Sequence, residues 1–398
     1  MTSSINRLII AQSIRTLHFA GPISVLFLLA KGLTIEQILM LSSVLLVSGM
    51  VFEIPTGVFA DAHGRRTSMI VGSFLSVVGW GLWLFADTFI GFCAVYVVLG
   101  LANSLWSGAD QALIYDELMA VGREKDAQKV FSRYNGALAG AFAVAALVGG
   151  WVAYRHTLDA FYLTYWLTLA ASIVGLLVTF TIRENVRPMR GDGLALREQS
   201  STRRLTVGLR YLKTNAKLLK ITLFSIFTLS FVLFELYQVY FSQAHVPESW
   251  YGYVLALSSV LVGLAKWHAH RLEEWLGVET SMILIAVLPA LIYIVMAFAF
   301  SPGFAVILFL VSDSVGNMRD PLIEDYQNRH INGRDRATVL STISLLTNGY
   351  VAVMLPVIGW IADKNIGLSF LAAATIILLA VCLFRIKDVD VVTVSYPS

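Results

Sequence analysis

Ionisable side chains interrupt several long apolar stretches of the sequence, and these residues have the clearest capacity for chemistry. Arg15 and His18 lie in the first stretch, Glu53 in the second, and Asp313 about 15 Å into a later one at 1.5 Å per helical residue. A charge at the centre of a bilayer costs at least about 2.5–3.5 kcal/mol, so each group would need a partner, water or a substrate there. A buried carboxylate can carry a proton near neutral pH, and histidine titrates in that range unaided.

Each of these groups also has a purely structural interpretation. Ser312 or Ser314 could satisfy Asp313. Arg15 and Glu53 could form an ion pair that holds the first two spans together, and protonation of Glu53 would then release Arg15. Both interpretations stay open at this point.

Polar groups in other spans complete the set of candidates for substrate or proton binding. Asp110 lies close to the end of its stretch, which favours a structural role. Glu235 is followed by aromatic residues that would suit either a substrate or the outer aromatic belt of a membrane protein. The remaining candidates are Asn103, Trp106 and Asn348.

The composition indicates a helical membrane protein. Of the 398 residues, 57% are hydrophobic and 14% are charged, whereas soluble domains carry about 25% charged residues. Apolar stretches of about 20 residues, enough to cross a bilayer as helices, recur along the chain. We predict an all-α membrane protein with twelve transmembrane helices, near 7–30, 35–60, 67–86, 89–118, 130–153, 159–182, 218–242, 250–268, 279–300, 303–326, 336–362 and 367–385.

Basic residues are distributed unevenly between the loops. With the N-terminus inside, 24 of the 29 Lys and Arg residues fall on the cytoplasmic side and three on the other, which predicts that both termini are cytoplasmic. A polar, basic segment at 183–217 separates the spans into six and six. We therefore predict an N-terminal bundle (1–182), a cytoplasmic linker (183–217) and a C-terminal bundle (218–398).

The two halves also share short matching segments, which predicts a duplicated six-helix unit. The pairs have nearly constant offsets: Gly64–Ile70 with Gly277–Ile283, Gly150–Ala153 with Gly359–Ala362, and Asp110 with Asp320.

The segment GVFADAHGRR (57–66) falls in the predicted loop between the second and third spans. It resembles the signature of the major facilitator superfamily, in which the same loop reads roughly G-x-[LF]-A-D-x-x-G-R-[RK]. The resemblance implies the major facilitator fold, in which two pseudo-symmetric six-helix bundles surround a cavity that opens alternately to either side. It also implies a cytoplasmic gate made by Gly57, Asp61, Gly64, Arg65 and Arg66.

In such a gate, Asp61, Arg65 and Arg66 would help to latch the two halves together. A carboxylate at Asp61 would suit the positive N-terminal end of a helix from the other half. The matching segment of the second half, residues 269–277, lacks the paired arginines, so a symmetric latch is not expected.

The leading functional hypothesis is a secondary transporter that exports small amphipathic or drug-like compounds in exchange for protons. The segments FEIPTG and SGADQALIYDEL are similar to bacterial permeases of this superfamily that are assigned to efflux. However, the fifth span lacks the Gly-Pro pair, and the fourth lacks the arginine, of many drug–proton antiporters. The alternative is an uptake permease or facilitator for a small metabolite, with Arg15 and His18 suited to an anion.

The sequence contains no Walker A motif, zinc-ligand spacing, nucleophile elbow or dinucleotide fingerprint. We therefore expect no enzymatic activity, cofactor, metal or nucleic-acid partner. The expected partners are the substrate, protons and membrane lipid. The expected state is a monomer in a bacterial inner membrane.

Overall fold

The computed structural model describes residues 3–154, 157–184, 201–331 and 336–391, with side chains from 205 onward in the third range. Within these ranges the chain is helical, with short connections and no β-strand. Residues 185–200 of the predicted linker lie outside the described residues.

Eight helices belong to the first half of the chain. They are α1 (Ser3–Arg15), α2 (Ser24–Ala30), α3 (Ile35–His63), α4 (Arg65–Trp83), α5 (Phe89–Trp106), α6 (Ala109–Ala120), α7 (Ala127–Ala153) and α8 (Leu158–Phe180). Eight more are described in the second half: α9 (Ser201–Thr214), α10 (Ala216–Phe227), α11 (Phe231–Gln243), α12 (Tyr251–Met296), α13 (Pro302–Arg329), α14 (Arg336–Lys364), α15 (Ile366–Phe384) and α16 (Asp388–Val391).

The chain divides into two compact units. The first comprises Met1–Leu194 with Glu248–Ala256, and the second comprises Ala195–Pro247 with Leu257–Ser398. The boundary between Leu194 and Ala195 lies within the segment that we predict as a linker, whereas Glu248–Ala256 joins the first unit from within the predicted C-terminal bundle.

Close packing in the first unit depends on small residues at helix crossings. A Cβ on Gly72 of α4 would lie 2.8 Å from the Trp106 ring of α5, and one on Gly100 of α5 would lie 2.6 Å from the Ser48 side chain of α3. Glycine at these points lets the backbones approach each other, which favours helix association in a membrane.

Eight stretches of the described chain are long and apolar enough to cross a membrane. They are Ile35–His63, Phe89–Ala120, Glu124–Ala153, Leu158–Phe180, Ala216–Gln243, Glu248–Met296, Arg336–Lys364 and Ile366–Phe384. The 49-residue stretch from Glu248 holds two of the predicted spans. Helices α4 and α13 have comparable lengths but are more polar. The count of twelve spans therefore stays a prediction.

Three of the predicted spans are broken rather than continuous. The first divides into α1 and α2, with irregular backbone at 16–20 and a 3-10 turn at Gly21–Ile23. The fourth breaks between Trp106 and Ala109, where Gly108 has a left-handed backbone with φ 79°. The seventh breaks at 228–230. Sequence hydropathy did not predict these breaks because each lies inside a longer, mostly apolar stretch.

Two glycines at matching positions of the halves end one helix and begin the next. Gly64 lies between α3 and α4 with φ 95° and ψ 149°. Gly277 kinks α12 with φ 76° and ψ 167°. Such positive φ values favour glycine, so the predicted Gly64/Gly277 correspondence also appears in backbone conformation.

Helix α9 lies within the predicted linker and packs on α14 in the second unit. Gly208 contacts the side chain of Thr342, and Leu212 is buried in a cluster with Val339 and Ile343. The segment is therefore more than a tether, because part of it belongs to the core of the second unit.

Candidate functional site

The predicted gate motif surrounds the junction of α3 and α4. The carboxylate of Glu184, just beyond α8, accepts hydrogen bonds from the backbone N–H groups of Arg65 and Arg66, both at 3.1 Å. These amides begin α4 and have no intrahelical acceptor, and a carboxylate there also complements the positive end of the helix dipole. Glu184 therefore caps α4.

Both arginine side chains of the motif have partners in the first unit. Arg65 forms an ion pair with Asp116 of α6, and Nη2 of Arg66 donates to the carbonyl oxygen of Phe180 at 2.9 Å. These contacts join α4 to α6 and α8. A role for the two arginines in a latch between the halves stays a prediction.

The other residues of the motif belong to the end of α3. Gly57 and Asp61 are both half-buried and both have interaction partners. A latching role for Asp61 stays a prediction.

The second unit has a related connection, in which the acidic residue follows the glycine and the basic residue follows the later helix. Glu279, two residues after Gly277, forms an ion pair with Arg385 at 2.5 Å, and Arg385 directly follows α15. In each unit, the helix that begins after the glycine is thus tied to the end of a later helix.

A polar cluster in the first unit gathers four of the predicted site residues. Nη1 of Arg15 donates to Oδ1 of Asn103 at 2.9 Å, and its Nε donates to Oε1 of Gln12 at 2.8 Å. The Arg15 guanidinium also lies 4.9 Å from the centre of the Trp106 ring, within the range of a cation–π contact. The indole N–H of Trp106 donates to Ser73 at 3.0 Å, so this buried ring is held in place from its other side.

Asp110 supplies the negative charge of the same cluster. It is buried in the first turn of α6, where it accepts a hydrogen bond from the Tyr134 hydroxyl and one from the backbone N–H of Gln111 at 2.7 Å. Arg15 is close enough to Asp110 for electrostatic attraction. The break in the fourth span therefore places an arginine, an aspartate and a tyrosine side by side.

The predicted ion pair between Arg15 and Glu53 is not formed. Arg15 binds Gln12 and Asn103 instead, and the Glu53 side chain is exposed. His18 is half-buried and lies edge-on to Trp80, with ring centres 5.1 Å apart. Roles for Glu53 and His18 in proton or substrate binding stay predictions.

A second polar cluster lies between α12 and α13 in the second unit. The half-buried carboxylate of Asp313 accepts hydrogen bonds from the Ser258 hydroxyl and, at 3.0 Å, from Nδ2 of Asn317. The donors are thus Ser258 and Asn317, whereas the sequence suggested Ser312 or Ser314. Ser314 donates to the backbone of Leu310.

Charged groups continue this cluster about two helical turns beyond Asp313 on α13. Nζ of Lys266 donates to Asp320 at 2.9 Å, and Nη2 of Arg319 lies 3.4 Å from the same carboxylate. Arg319 also donates through Nη1 to the carbonyl oxygen of Ser225 at 2.6 Å and to the Thr228 hydroxyl at 3.3 Å. The buried arginine therefore binds the open end of α10, where the seventh span breaks.

Two further predicted site residues, Glu235 and Asn348, lie in the second unit, outside the Asp313 cluster. Glu235 is a half-buried residue of α11 that has interaction partners. Asn348 is half-buried in α14. Its neighbour Tyr350 packs against Phe227, with ring centres 5.2 Å apart.

The sequence did not predict several residues of these clusters, because they lie far along the chain from the carboxylates that they bind or approach. Tyr134, Ser258 and Lys266 are ordinary residues of their own spans, and only the fold brings them to a carboxylate. Glu184 carried a weak signal, since it is an acidic residue at the start of a basic segment.

Comparison with known proteins agrees with this architecture. The profile described as Major Facilitator Superfamily matches residues 8–346. The chain belongs to that superfamily. A segment of 89 residues is 33% identical to an uncharacterized MFS-type transporter, YxaM, of Bacillus subtilis (strain 168), and this alignment spans 22% of each chain.

Solved structures of major facilitator proteins share the fold. The nucleoside transporter NupG superimposes with a TM-score of 0.76 at 14% identity, over 97% of this chain and 100% of that one. A bacterial homologue of the iron transporter ferroportin gives 0.73 at 15% identity, over 96% and 98%. At such identities the likeness concerns the fold alone. This member of the superfamily is thus an integral membrane protein that crosses the bilayer several times.

Proposed function

We propose that this protein is a proton-coupled secondary transporter that exports small amphipathic compounds by alternating access, with Asp313 as the proton-carrying carboxylate. The single observation that carries the proposal is the set of donors around Asp313. Ser258 and Asn317 are both neutral. A carboxylate held by neutral donors in a membrane helix can take up a proton without leaving an unpaired cation behind.

The charged and titratable groups near Asp313 are Lys266 and Tyr293. Lys266 already forms an ion pair with Asp320, about two helical turns further along α13. Protonation of Asp313 would therefore remove one negative charge from the interior of the unit while that pair remains. Such a change in charge can bias a two-state conformational equilibrium, which is the requirement for coupling.

The substrate class is proposed from an aromatic residue. Tyr350, near Asn348, lies half-buried in a helix that the superfamily resemblance assigns to the cavity, and aromatic faces suit flat or cationic compounds. The similarity of FEIPTG and SGADQALIYDEL to efflux permeases favours export.

One observation favours the alternative of uptake of a small anion. Arg15 is held against Trp106 and Asn103 in the first unit, and a fixed guanidinium is a suitable binding group for a carboxylate or phosphate. Asp110 lies close by and offsets part of this charge. We therefore place anion uptake second.

The uneven distribution of Lys and Arg supports an orientation with both termini in the cytoplasm. We also propose that the protein works as a monomer in the bacterial inner membrane. Cysteine substitutions labelled from either side of intact cells would test the orientation.

Proton flux in liposomes tests the function. Purified protein would be reconstituted with an internal pH-sensitive dye and challenged with lipophilic cations, organic anions and sugars. The proposal expects proton movement driven by lipophilic cations and lost in Asp313→Asn. A matched control is Asp325→Asn, because Asp325 is an exposed aspartate of the same helix and should leave the flux intact.

The outcomes separate the candidate functions. Flux driven only by organic anions would replace export of amphipathic compounds by the anion alternative, and Arg15→Gln should then abolish it. Substrate movement that ignores a pH gradient, or that survives in Asp313→Asn with unchanged proton flux, would overturn the coupling role of Asp313.

A further inference from the structure

A basic pocket opens on the first unit at the end of the bundle where α4 begins. Its volume is about 680 Å³, and it is lined by Arg7 of α1, Arg66 of α4 and residues 180–184 after α8. This basic pocket lies outside the two polar clusters described above. No part of the transport proposal uses it.

Three arginines face this pocket, and two of them are fixed in place. Nη1 of Arg7 donates to the carbonyl oxygen of Thr181 at 2.6 Å, and Nη2 of Arg66 donates to that of Phe180 at 2.9 Å. Each bond uses one of the five N–H donors that a guanidinium group carries. Arg183, the third, is exposed.

The acidic residue that lines the pocket, Glu184, already accepts hydrogen bonds. Glu184 accepts the backbone N–H groups of Arg65 and Arg66, so its charge serves the end of α4. The lining therefore has an excess of positive charge. Nε of Arg66 is in addition buried without any hydrogen-bond acceptor among the described residues.

The chemistry of the pocket matches a phosphate group. Planar guanidinium groups bind phosphate oxygens through paired hydrogen bonds, and basic pockets between membrane helices on the cytoplasmic side recognise lipid headgroups. An apolar surface adjoins the pocket, because Leu177 and Phe180 of α8 have 60% and 51% of their surface exposed. That surface would face acyl chains in a membrane.

We propose that the basic pocket binds the phosphate headgroup of an anionic phospholipid, with Arg7, Arg66 and Arg183 as ligands and an acyl chain along the exposed face of α8. Free phosphate compounds share the headgroup chemistry but would make no use of that apolar face. The bound lipid would join α1, α4 and α8.

Binding can be measured on the full-length protein in neutral detergent after removal of lipid. Dioleoyl phosphatidylglycerol, dioleoyl phosphatidylcholine, glycerol phosphate and inorganic phosphate would each be titrated. The readouts are thermal stability and the number of lipids retained in native mass spectra. We expect phosphatidylglycerol to bind more tightly than phosphatidylcholine with the same chains, and neither soluble phosphate to bind at comparable concentrations.

Variants locate the site. Arg183→Gln should weaken binding of phosphatidylglycerol about fivefold, the change that corresponds to about 1 kcal/mol for one basic residue near a membrane surface. Its side chain is exposed, so folding should not change. Arg7→Gln should weaken binding as well. Arg123→Gln is the matched control, since Arg123 is an exposed arginine of the same unit that forms a local ion pair with Asp126.

Three results would overturn the proposal. Equal binding of the two lipids would show that the headgroup charge is not recognised. Wild-type affinity in both Arg7→Gln and Arg183→Gln would exclude the basic pocket as the site. Tight binding of glycerol phosphate or inorganic phosphate alone would identify a soluble anion as the ligand and exclude the lipid.

Discussion

Oε2 of Glu184 lies 2.8 Å from the point that a Cβ atom would occupy on Gly64. The glycine of the gate motif thus serves two purposes at once. Its positive φ turns the chain from α3 into α4, and its missing side chain leaves room for the carboxylate that caps α4. Glu184 binds the backbone N–H groups of the two residues that follow this glycine, so the fit explains the glycine and places no demand on the arginine side chains.

Gly64→Ala should therefore destabilise the protein. An alanine with φ 95° and ψ 149° lies in a region occupied almost only by glycine, at a cost of about 1–3 kcal/mol, and its methyl group would displace Glu184. Thermal unfolding in detergent measures the effect. Gly140→Ala is the control, because Gly140 lies within α7 with open space around it and should tolerate alanine.

A double variant tests the fit itself. Glu184→Ala alone removes the cap of α4. Once the carboxylate is gone, Gly64→Ala should cost less than in the wild type, because only the backbone strain remains. Strict additivity of the two changes would contradict the proposed fit.

Arg319→Lys should weaken the second unit although it keeps the charge. Arg319 holds Ser225 and Thr228 through a single nitrogen while its other nitrogen reaches Asp320, and one ammonium group cannot reproduce this planar geometry. We expect a loss of about 1–3 kcal/mol, because buried acceptors would be left unpaired. Arg329→Lys, at an exposed ion pair of the same helix, should change stability by less than about 0.5 kcal/mol. Equal effects of the two variants in thermal unfolding would contradict the prediction.

Asp390 should make the stability of the second unit depend on pH in the acidic range. Burial alone would raise the pKa of its carboxyl group, but the hydrogen bonds from Lys220 and from the Lys387 backbone outweigh it and hold the pKa below the usual 3.8. Because the folded-state pKa is the lower one, the stabilisation is present above pH 3.8 and disappears as the pH falls through the folded-state value.

Asp390→Asn should accordingly lower the unfolding temperature at pH 7 and approach the wild type as the pH falls below 3.8. Its effect at pH 7 should be about 0.2–1 kcal/mol, as for other partly exposed ion pairs. Asp388→Asn is the control, since Asp388 is an exposed aspartate of the same short helix. A loss of stability in Asp390→Asn that is the same at every pH would refute the ion-pair explanation.

The sequence was sufficient for features that depend on nearby residues. Apolar stretches predicted the helical membrane class, and the segment at 57–66 predicted the superfamily. The helix boundary at Gly64 and its counterpart at Gly277 followed from spacing within a single loop. Helix α9 could have been predicted as well, because Leu205, Leu209 and Leu212 follow helical spacing within the polar segment.

Features that depend on the direction of a side chain could not be predicted. Depth along a span placed Arg15 and Glu53 at similar levels, but depth does not say which face of a helix points where. Glu53 is exposed, and Arg15 reaches Asn103 across 88 residues of sequence. The breaks in the spans are equally invisible to hydropathy, because Ser107 and Gly108 interrupt the helix with little change in polarity.

The proton proposed for Asp313 has an electrical consequence for the transport cycle. With a proton bound, the Asp313 side chain carries no charge, and without it the side chain carries a full negative charge in the membrane. Moving one elementary charge across the whole membrane against a potential of 100 mV requires about 2.3 kcal/mol. For an uncharged substrate, the voltage across the bilayer would therefore act on the step in which the deprotonated carrier moves the substrate outward, and it would leave the return of the proton-bound carrier nearly unaffected.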